Sequence, residues 1–251
     1  MRLRAGVDNA PGAVPACDRE RMDDAPAPPS LWRGDGTEQA GLLPATGAGP
    51  LLAGRHVRIR GLSAGGVAAA EGAARAGAAS VSLVPAPGEP ASLARSASRL
   101  LSSIAPGTPV RLDGSRLVDA EVAVAYGALA PDVSHALTLG GPHAAVLADE
   151  RGATVLPVLP GATACLRCRD LALTDDDAAW PVLARQCESW PPPPDPLTSS
   201  TAAALAVAAI ATLLAGEPAP AWRVESGLPR IVPAPPHPAC GCGARAEVIY
   251  L

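Results

Sequence analysis

An α/β fold with a mostly parallel sheet is what this 251-residue sequence predicts, on three observations. His56-Val57-Arg58-Ile59-Arg60 alternates polar and apolar residues and runs into Gly61, as a strand entering a glycine turn does. The small residues Val67 to Ala76 then predict a helix with Gly77 as its C-cap, and Ala79 to Val84 reads as a second strand. Third, the cysteine pairs Cys165-Leu-Arg-Cys168 and Cys240-Gly-Cys242 stand either side of one long apolar stretch. Strand, glycine turn, helix and strand within about 30 residues are the first half of a Rossmann-like unit.

Residues 1–50 are rich in Pro, Ala, Gly and Asp without a period, which predicts disorder. Ser30-Leu31-Trp32-Arg33-Gly34 breaks that pattern, as a short strand or docking contact would. The organised domain is expected over residues 51–251. Beyond the first unit, Val118 to Ala125 reads as a buried strand ending in Tyr126-Gly127. Ala144 to Leu147 and Thr154 to Leu159 add two more strands of the parallel sheet, joined by the turn Asp149-Glu150-Arg151-Gly152. The acidic run Thr174 to Asp177, Trp180-Pro181, Cys187 and the stiff segment Trp190 to Pro196 follow. A long helix comes next, with Thr198, Ser199 or Ser200 as its cap and Gly216 as its end. Ala221 to Val232 is strand-like and leads into Pro236-His237-Pro238 and the second cysteine pair.

Four thiolates in two short knuckles are what a tetrahedral zinc ion needs, with about 3.5–4 Å between sulfurs and metal–sulfur bonds of about 2.3 Å. Residues 169–239 separate the pairs, so Cys165, Cys168, Cys240 and Cys242 would tie two distant segments together. That predicts a closed, structural site. Disulfides and unpaired buried thiols remain the alternatives, and reduced thiols are the cytosolic default, so a cytoplasmic protein is expected.

All 20 basic residues are arginine, phenylalanine is absent and Asn9 is the sole asparagine, a pattern that fits a GC-rich genome. With aromatics at 2 %, the core must be packed from Ala, Val and Leu. A net charge of −4 gives no footprint for nucleic acid or an anionic membrane. The most apolar window, Thr201 to Ala215, falls short of the roughly 20 residues that cross a bilayer, and no signal peptide is read at the N-terminus.

The turn Gly61-x-Ser63-x-x-Gly66 has the spacing of a dinucleotide fingerprint with serine at the middle glycine. Serine places a side chain where phosphate oxygens would sit. The second strand ends Leu83-Val84-Pro85-Ala86-Pro87, without the acid that usually receives a ribose hydroxyl. These residues support the fold more than they support nucleotide binding.

The order of features over roughly residues 51–245 resembles the ThiF/MoeB/HesA family, bacterial relatives of ubiquitin-activating enzymes. A glycine-turn half, later strands ending in Leu159-Pro160-Gly161, Cys165-x-x-Cys168, a loop with Cys187, a long apolar helix and Cys240-x-Cys242 carry the resemblance. It looks closest to the actinobacterial branch, in which a leader-peptide-binding segment precedes the ThiF-like domain, with Leu31-Trp32-Arg33 as its remnant. The resemblance implies ATP- and magnesium-dependent adenylation of the C-terminal carboxylate of a small ubiquitin-like protein or precursor peptide. A homodimer is left open. It assigns the phosphate turn to Gly61, Ser63, Gly65 and Gly66, and the phosphate-contacting arginine to Arg95 or Arg99. Cys187 takes the loop position of a thioester or persulfide cysteine. The magnesium aspartate is replaced by Tyr126-Gly127, with Asp132 a few residues late, and the family's lysine has no counterpart.

Three functions follow from these substitutions. The first is a partner-binding family member with a degenerate ATP site. A working adenylyltransferase is the second. The third is an unrelated NAD(P)-binding Rossmann oxidoreductase or a purely structural zinc protein.

Overall fold

The computed structural model describes residues 50–112, 117–188 and 195–244. The Leu31-Trp32-Arg33 segment and most of the proline run, Trp190 to Pro194, lie outside those residues. The unit beginning at Leu52 holds one eight-stranded sheet in the order β3-β2-β1-β4-β5-β6-β7-β8. Its strands are β1 His56–Arg60, β2 Ser80–Val84, β3 Val110–Arg111, β4 Ala120–Tyr126, β5 His143–Asp149, β6 Gly152–Val158, β7 Ala221–Glu225 and β8 Leu228–Val232. The first five are mutually parallel, and β6, β7 and β8 are added antiparallel. The reversal of strand order falls between β1 and β4, where open α/β sheets place ligands.

Two strands correct the sequence reading. Residues 144–147 do extend the parallel sheet, as β5 beside β4, but residues 154–159 do not: β6 turns back on β5 as an antiparallel hairpin, pairing Val146 with Val155. A connection as short as Glu150-Arg151 cannot carry a parallel crossover, which needs a dozen or more residues. Likewise residues 221–232 are a hairpin, not one strand. Ser226 at φ 50° and Gly227 at φ 78° give the two left-handed residues of a tight hairpin turn.

The described helices are α1 Ala64–Arg75, α2 Ala91–Ile104, α3 Pro131–Gly140, α4 Leu166–Asp176, α5 Trp180–Cys187 and α6 Pro196–Leu214. Helix α1 ends in a Schellman arrangement: the Gly77 N–H bonds to Ala74 O and the Ala78 N–H to Ala73 O, with Gly77 at φ 83°. Helix α6 starts earlier than expected. Asp195 is its N-cap, accepting from the Leu197 N–H at 3.1 Å, and Pro196 takes the first turn. The Thr198 hydroxyl instead accepts from the Gly227 N–H at 3.1 Å and Thr201 donates to Gly227 O, pinning α6 to the β7–β8 turn.

The sheet has two unlike faces. Val57, Ile59, Val81, Leu83, Val122 and Val146 join the cluster that holds α1, α2 and α6. By length and composition α6 is the one described helix able to cross a membrane, but Ala202, Ala206, Val207 and Ile210 bury it in this core. On the other face, Ala123, Ala145, Leu147 and Val158 pack with Leu137 of α3, Leu166 of α4 and the cysteines. Toward β1 and β2 that second face turns polar: Arg58 lies level with Ser82 and Glu121, and Glu121 with His143.

Candidate functional site: a four-cysteine cluster and a glycine turn

The β6 strand ends at Val158, and the turn through Gly161 is tied by the Leu159 N–H donating to the Thr163 hydroxyl. That turn delivers Cys165 to the N-cap of α4 and Cys168 to its first turn, both buried. The chain after β8 returns on the same side. His237 holds the second knuckle: its ring pairs with Asp175 of α4 at 2.8 Å and accepts from the Ala239 N–H, and its carbonyl accepts from the Cys240 N–H.

All four sulfurs then converge within 4.8 Å of one another. Sγ separations are 3.8 Å for Cys165–Cys168 and 3.6 Å for both Cys165–Cys240 and Cys168–Cys242. Those lengths match the roughly 3.8 Å edge of a tetrahedron with 2.3 Å metal–sulfur bonds, and they are far beyond the roughly 2.05 Å of a disulfide. Burial pushes the thiols of Cys165 and Cys168 well above their usual range. Such thiols ionise readily once a cation stands among them, so the donor set fits a thiophilic metal such as zinc. Sequence reading missed the His237–Asp175 brace, though the Pro-His-Pro run marked its place.

The glycine turn follows β1 and leads into α1. Gly61 takes φ 79°, and a Cβ there would strike the Val124 carbonyl; one on Gly66 would strike the Gly61 carbonyl. Both glycines therefore let turn, helix and β4 pack closely. Gly65 has ordinary room, its nearest neighbour being the Val124 side chain at 3.5 Å. Ser63 stands at the N-cap of α1, but its hydroxyl is buried without a partner among the described residues.

A cavity of about 200 Å3 opens beside Ser63 and Gly65, with Asp149, Glu150, Arg151 and Asp195 on its walls. Three acids face one arginine there. Asp149 is also committed elsewhere: Arg223 donates to both its carboxylate oxygens at 2.6 and 2.7 Å. Although burial opposes ionisation, those bonds and the Arg151 and Gly152 amides hold its carboxyl below the usual range.

The remaining predicted residues do not gather here. Arg95 and Arg99 are exposed on α2, and the Arg99 guanidinium donates to the Ser96 hydroxyl at 3.2 Å. Asp132 is exposed in the first turn of α3. None of the three lines the cavity. Cys187, at the end of α5, presses against Gly127: a Cβ on that glycine would stand 2.6 Å from the thiol sulfur. Burial, with Glu150 adding to it, pushes the Cys187 thiol up, against the weaker pull of Arg169. Next to it the Tyr126 hydroxyl donates to Glu150, which raises the phenol to about 12.

One acid escaped the sequence reading. Glu89 lies past the proline-rich end of β2, and its Oε2 accepts from the Leu62 N–H of the glycine turn and from the Ala86 N–H, both at 2.7 Å. A larger cavity, about 700 Å3, opens beside the cysteines between α3, α4 and α5, with His135, Arg167, Leu171, Trp180 and Arg185 on its walls.

No family model and no curated protein matches the chain. Solved structures do. The E. coli MccB structure with AMPCPP and MccA superposes with a TM-score of 0.59 at 14% identity, covering 91% of this chain and 82% of that one. MccB with ATP gives 0.55 at 15% identity over 76% and 67%. The microcin C7 biosynthetic enzyme MccB in complex with N-formylated MccA gives 0.58 at 14% identity over 90% and 80%. At these identities the likeness is one of fold, and the ThiF/MoeB-type fold implied by the sequence resemblance is the fold this chain has.

Proposed function

We propose that this chain is a partner-binding protein on an adenylyltransferase-type fold, holding a precursor peptide or small ubiquitin-like protein, with a nucleotide site whose ligands are substituted. The glycine turn carries the reading. Its Leu62 amide is bonded to a carboxylate, its cavity is walled by more acids than bases, and Arg95 and Arg99 lie outside that cavity. A magnesium–triphosphate group does not fit these residues: it needs donors and cations where this turn offers a buried serine hydroxyl and acids. No chemical step is therefore assigned to ATP.

The fold supports a peptide partner by analogy, since MccB is crystallised with MccA. In this chain the cavity beside the cysteines suits that role. Leu129, Leu171 and Trp180 offer apolar wall, and Arg167 and Arg185 suit a carboxylate. Zinc held by Cys165, Cys168, Cys240 and Cys242 would supply no open coordination position. Its contribution is to clamp α4 to the C-terminal segment and so fix one wall of that cavity. Residues 1–50 as a leader-binding remnant, an actinobacterial affiliation and a cytoplasmic location belong to the same proposal.

ATP–pyrophosphate exchange in the presence of candidate precursor peptides tests it. The proposal expects no exchange and peptide retention on the purified protein, lost on Arg167→Glu with Arg185→Glu. Partner-dependent exchange would establish instead the working adenylyltransferase, which the coverage of ATP-bound MccB favours as the second reading.

A further inference from the structure

We infer that Glu89 is a built-in anion seated on the glycine turn, and that its charge sets how weakly the turn receives phosphate. This inference rests on the substituted nucleotide site proposed above and names the residue that closes it.

The backbone donors of the turn are partly spent before any ligand arrives. The Gly61 N–H bonds to Val84 O at 2.9 Å, and the Leu62 N–H to Glu89 Oε2 at 2.7 Å. The same oxygen takes the Ala86 N–H at 2.7 Å, so the carboxylate bridges the turn after β1 and the loop after β2. The next donors in sequence are the amides at the start of α1, within one helical turn of Leu62. A phosphate reaching them would stand close to the Glu89 carboxylate, at the point where helix dipole and free amides would otherwise attract it.

The neighbouring cavity beside Ser63 and Gly65, whose lining does not include Glu89, adds more acid than base to the start of α1. Among the described residues on its wall, Arg151 is the one basic side chain, against Asp149, Glu150 and Asp195. Glu89 lies in the β2–α2 loop just beyond Leu83–Pro87, the strand end that the sequence reads as lacking an acid, and Pro85, Pro87 and Gly88 carry it past that end and fold it back. Glu89 sits on both amides through the one oxygen Oε2, which brings its charge onto the turn; a ribose contact would use the other oxygen.

Two probes separate these roles. Binding of magnesium tripolyphosphate, which has no ribose, and of magnesium ATP is measured by calorimetry on the parent and on Glu89→Gln. Glutamine retains an oxygen for both amides and removes the charge. The inference expects Glu89→Gln to bind both probes at least about tenfold tighter than the parent, with Glu89→Ala behaving alike. Three results would overturn it. One is no gain for tripolyphosphate in either variant. Another is weaker ATP binding with tripolyphosphate unchanged, which would make Glu89 a ribose contact. The third is a fall in melting temperature beyond about 10 °C for Glu89→Gln, which would make the charge a support of the turn. Tight ATP binding by the parent protein would instead defeat the substituted-site reading itself, so the two failures are distinct.

Discussion

Replacing Cys240 and Cys242 together by serine removes one knuckle and leaves the other intact. The metal then no longer joins segments 75 and 74 residues apart along the chain. The loss can be sized by treating the clamp as a cross-link. Closing a loop of that length removes about 4.5 kcal/mol of chain entropy from the unfolded state. A domain of about 200 residues shifts by about 2–4 °C per kcal/mol, so the variant should melt about 9–18 °C below the parent. Scanning calorimetry, with zinc measured by elemental analysis on the same samples, checks both halves. The parent should carry close to one zinc per chain, and a strong chelator should lower its melting temperature to that of the variant without moving the variant further. A parent without metal, or a variant melting within about 2 °C of it, would refute the reasoning.

The other predictions are sharper in sign than in size. Gly66→Ala should cost about 3 kcal/mol or more, because its Cβ meets the Gly61 carbonyl, while Gly65→Ala should stay within about 1 kcal/mol; urea melts of the pair decide it. His143 is buried, which lowers its pKa. The unfolded chain therefore binds its proton first, and stability should decline as pH falls through about 6.5, by no more than about 1.4 kcal/mol per pH unit. His143→Gln should flatten that slope between pH 7 and 5.5. Cys187, raised by burial, should react with iodoacetamide at neutral pH more slowly than a free thiol, and Cys187→Ser should leave peptide retention unchanged. Selective fast labelling at Cys187 would restore it as a carrier.

The strands and the cysteine cluster were legible because each depends on a local pattern. The alternation of His56 to Arg60 and the spacing of the cysteine pairs carry their own geometry. What was missed depended on context. Ser-rich α2 and the short α3, with Val133 and Leu137 four residues apart, were not singled out, and β3, two residues long, gave almost no signal. The β7–β8 hairpin did leave a mark in the Ser226-Gly227 dipeptide, which supplies both left-handed residues of the turn. The cap of α6 was hidden by chemistry that looked better than it was. Three hydroxyls offered themselves, but Asp195-Pro196 combines an acceptor with a residue that needs no donor, and it starts the helix earlier. Glu89 could not be placed from sequence at all, because its role is set by where a proline-rich loop folds back.

The alternation in β1 also says something about the sheet that a parallel fold would not lead one to expect. Strands of a parallel sheet covered on both faces read as continuous apolar runs, yet β1 alternates. Val57 and Ile59 enter the core with α1 and α6, while Arg58 and Arg60 both reach Glu121 on the second face, at 3.0 and 2.7 Å. A helix following β3 would ordinarily cover that face before β4 begins. Here β3 ends at Arg111 and β4 starts at Ala120, and the connection is too short for a helix of usual length. Charge pairs and the hydroxyls of Ser80 and Ser82 take the place of an apolar layer. The polar half of β1 is thus the sequence trace of a shortened crossover, on a face where buried polar groups stand in for an apolar helix layer. Glu121→Leu should destabilise, because it removes the carboxylate that Arg58 and Arg60 both bond, whereas an apolar layer on that face would have welcomed leucine; a urea melt of the variant checks it.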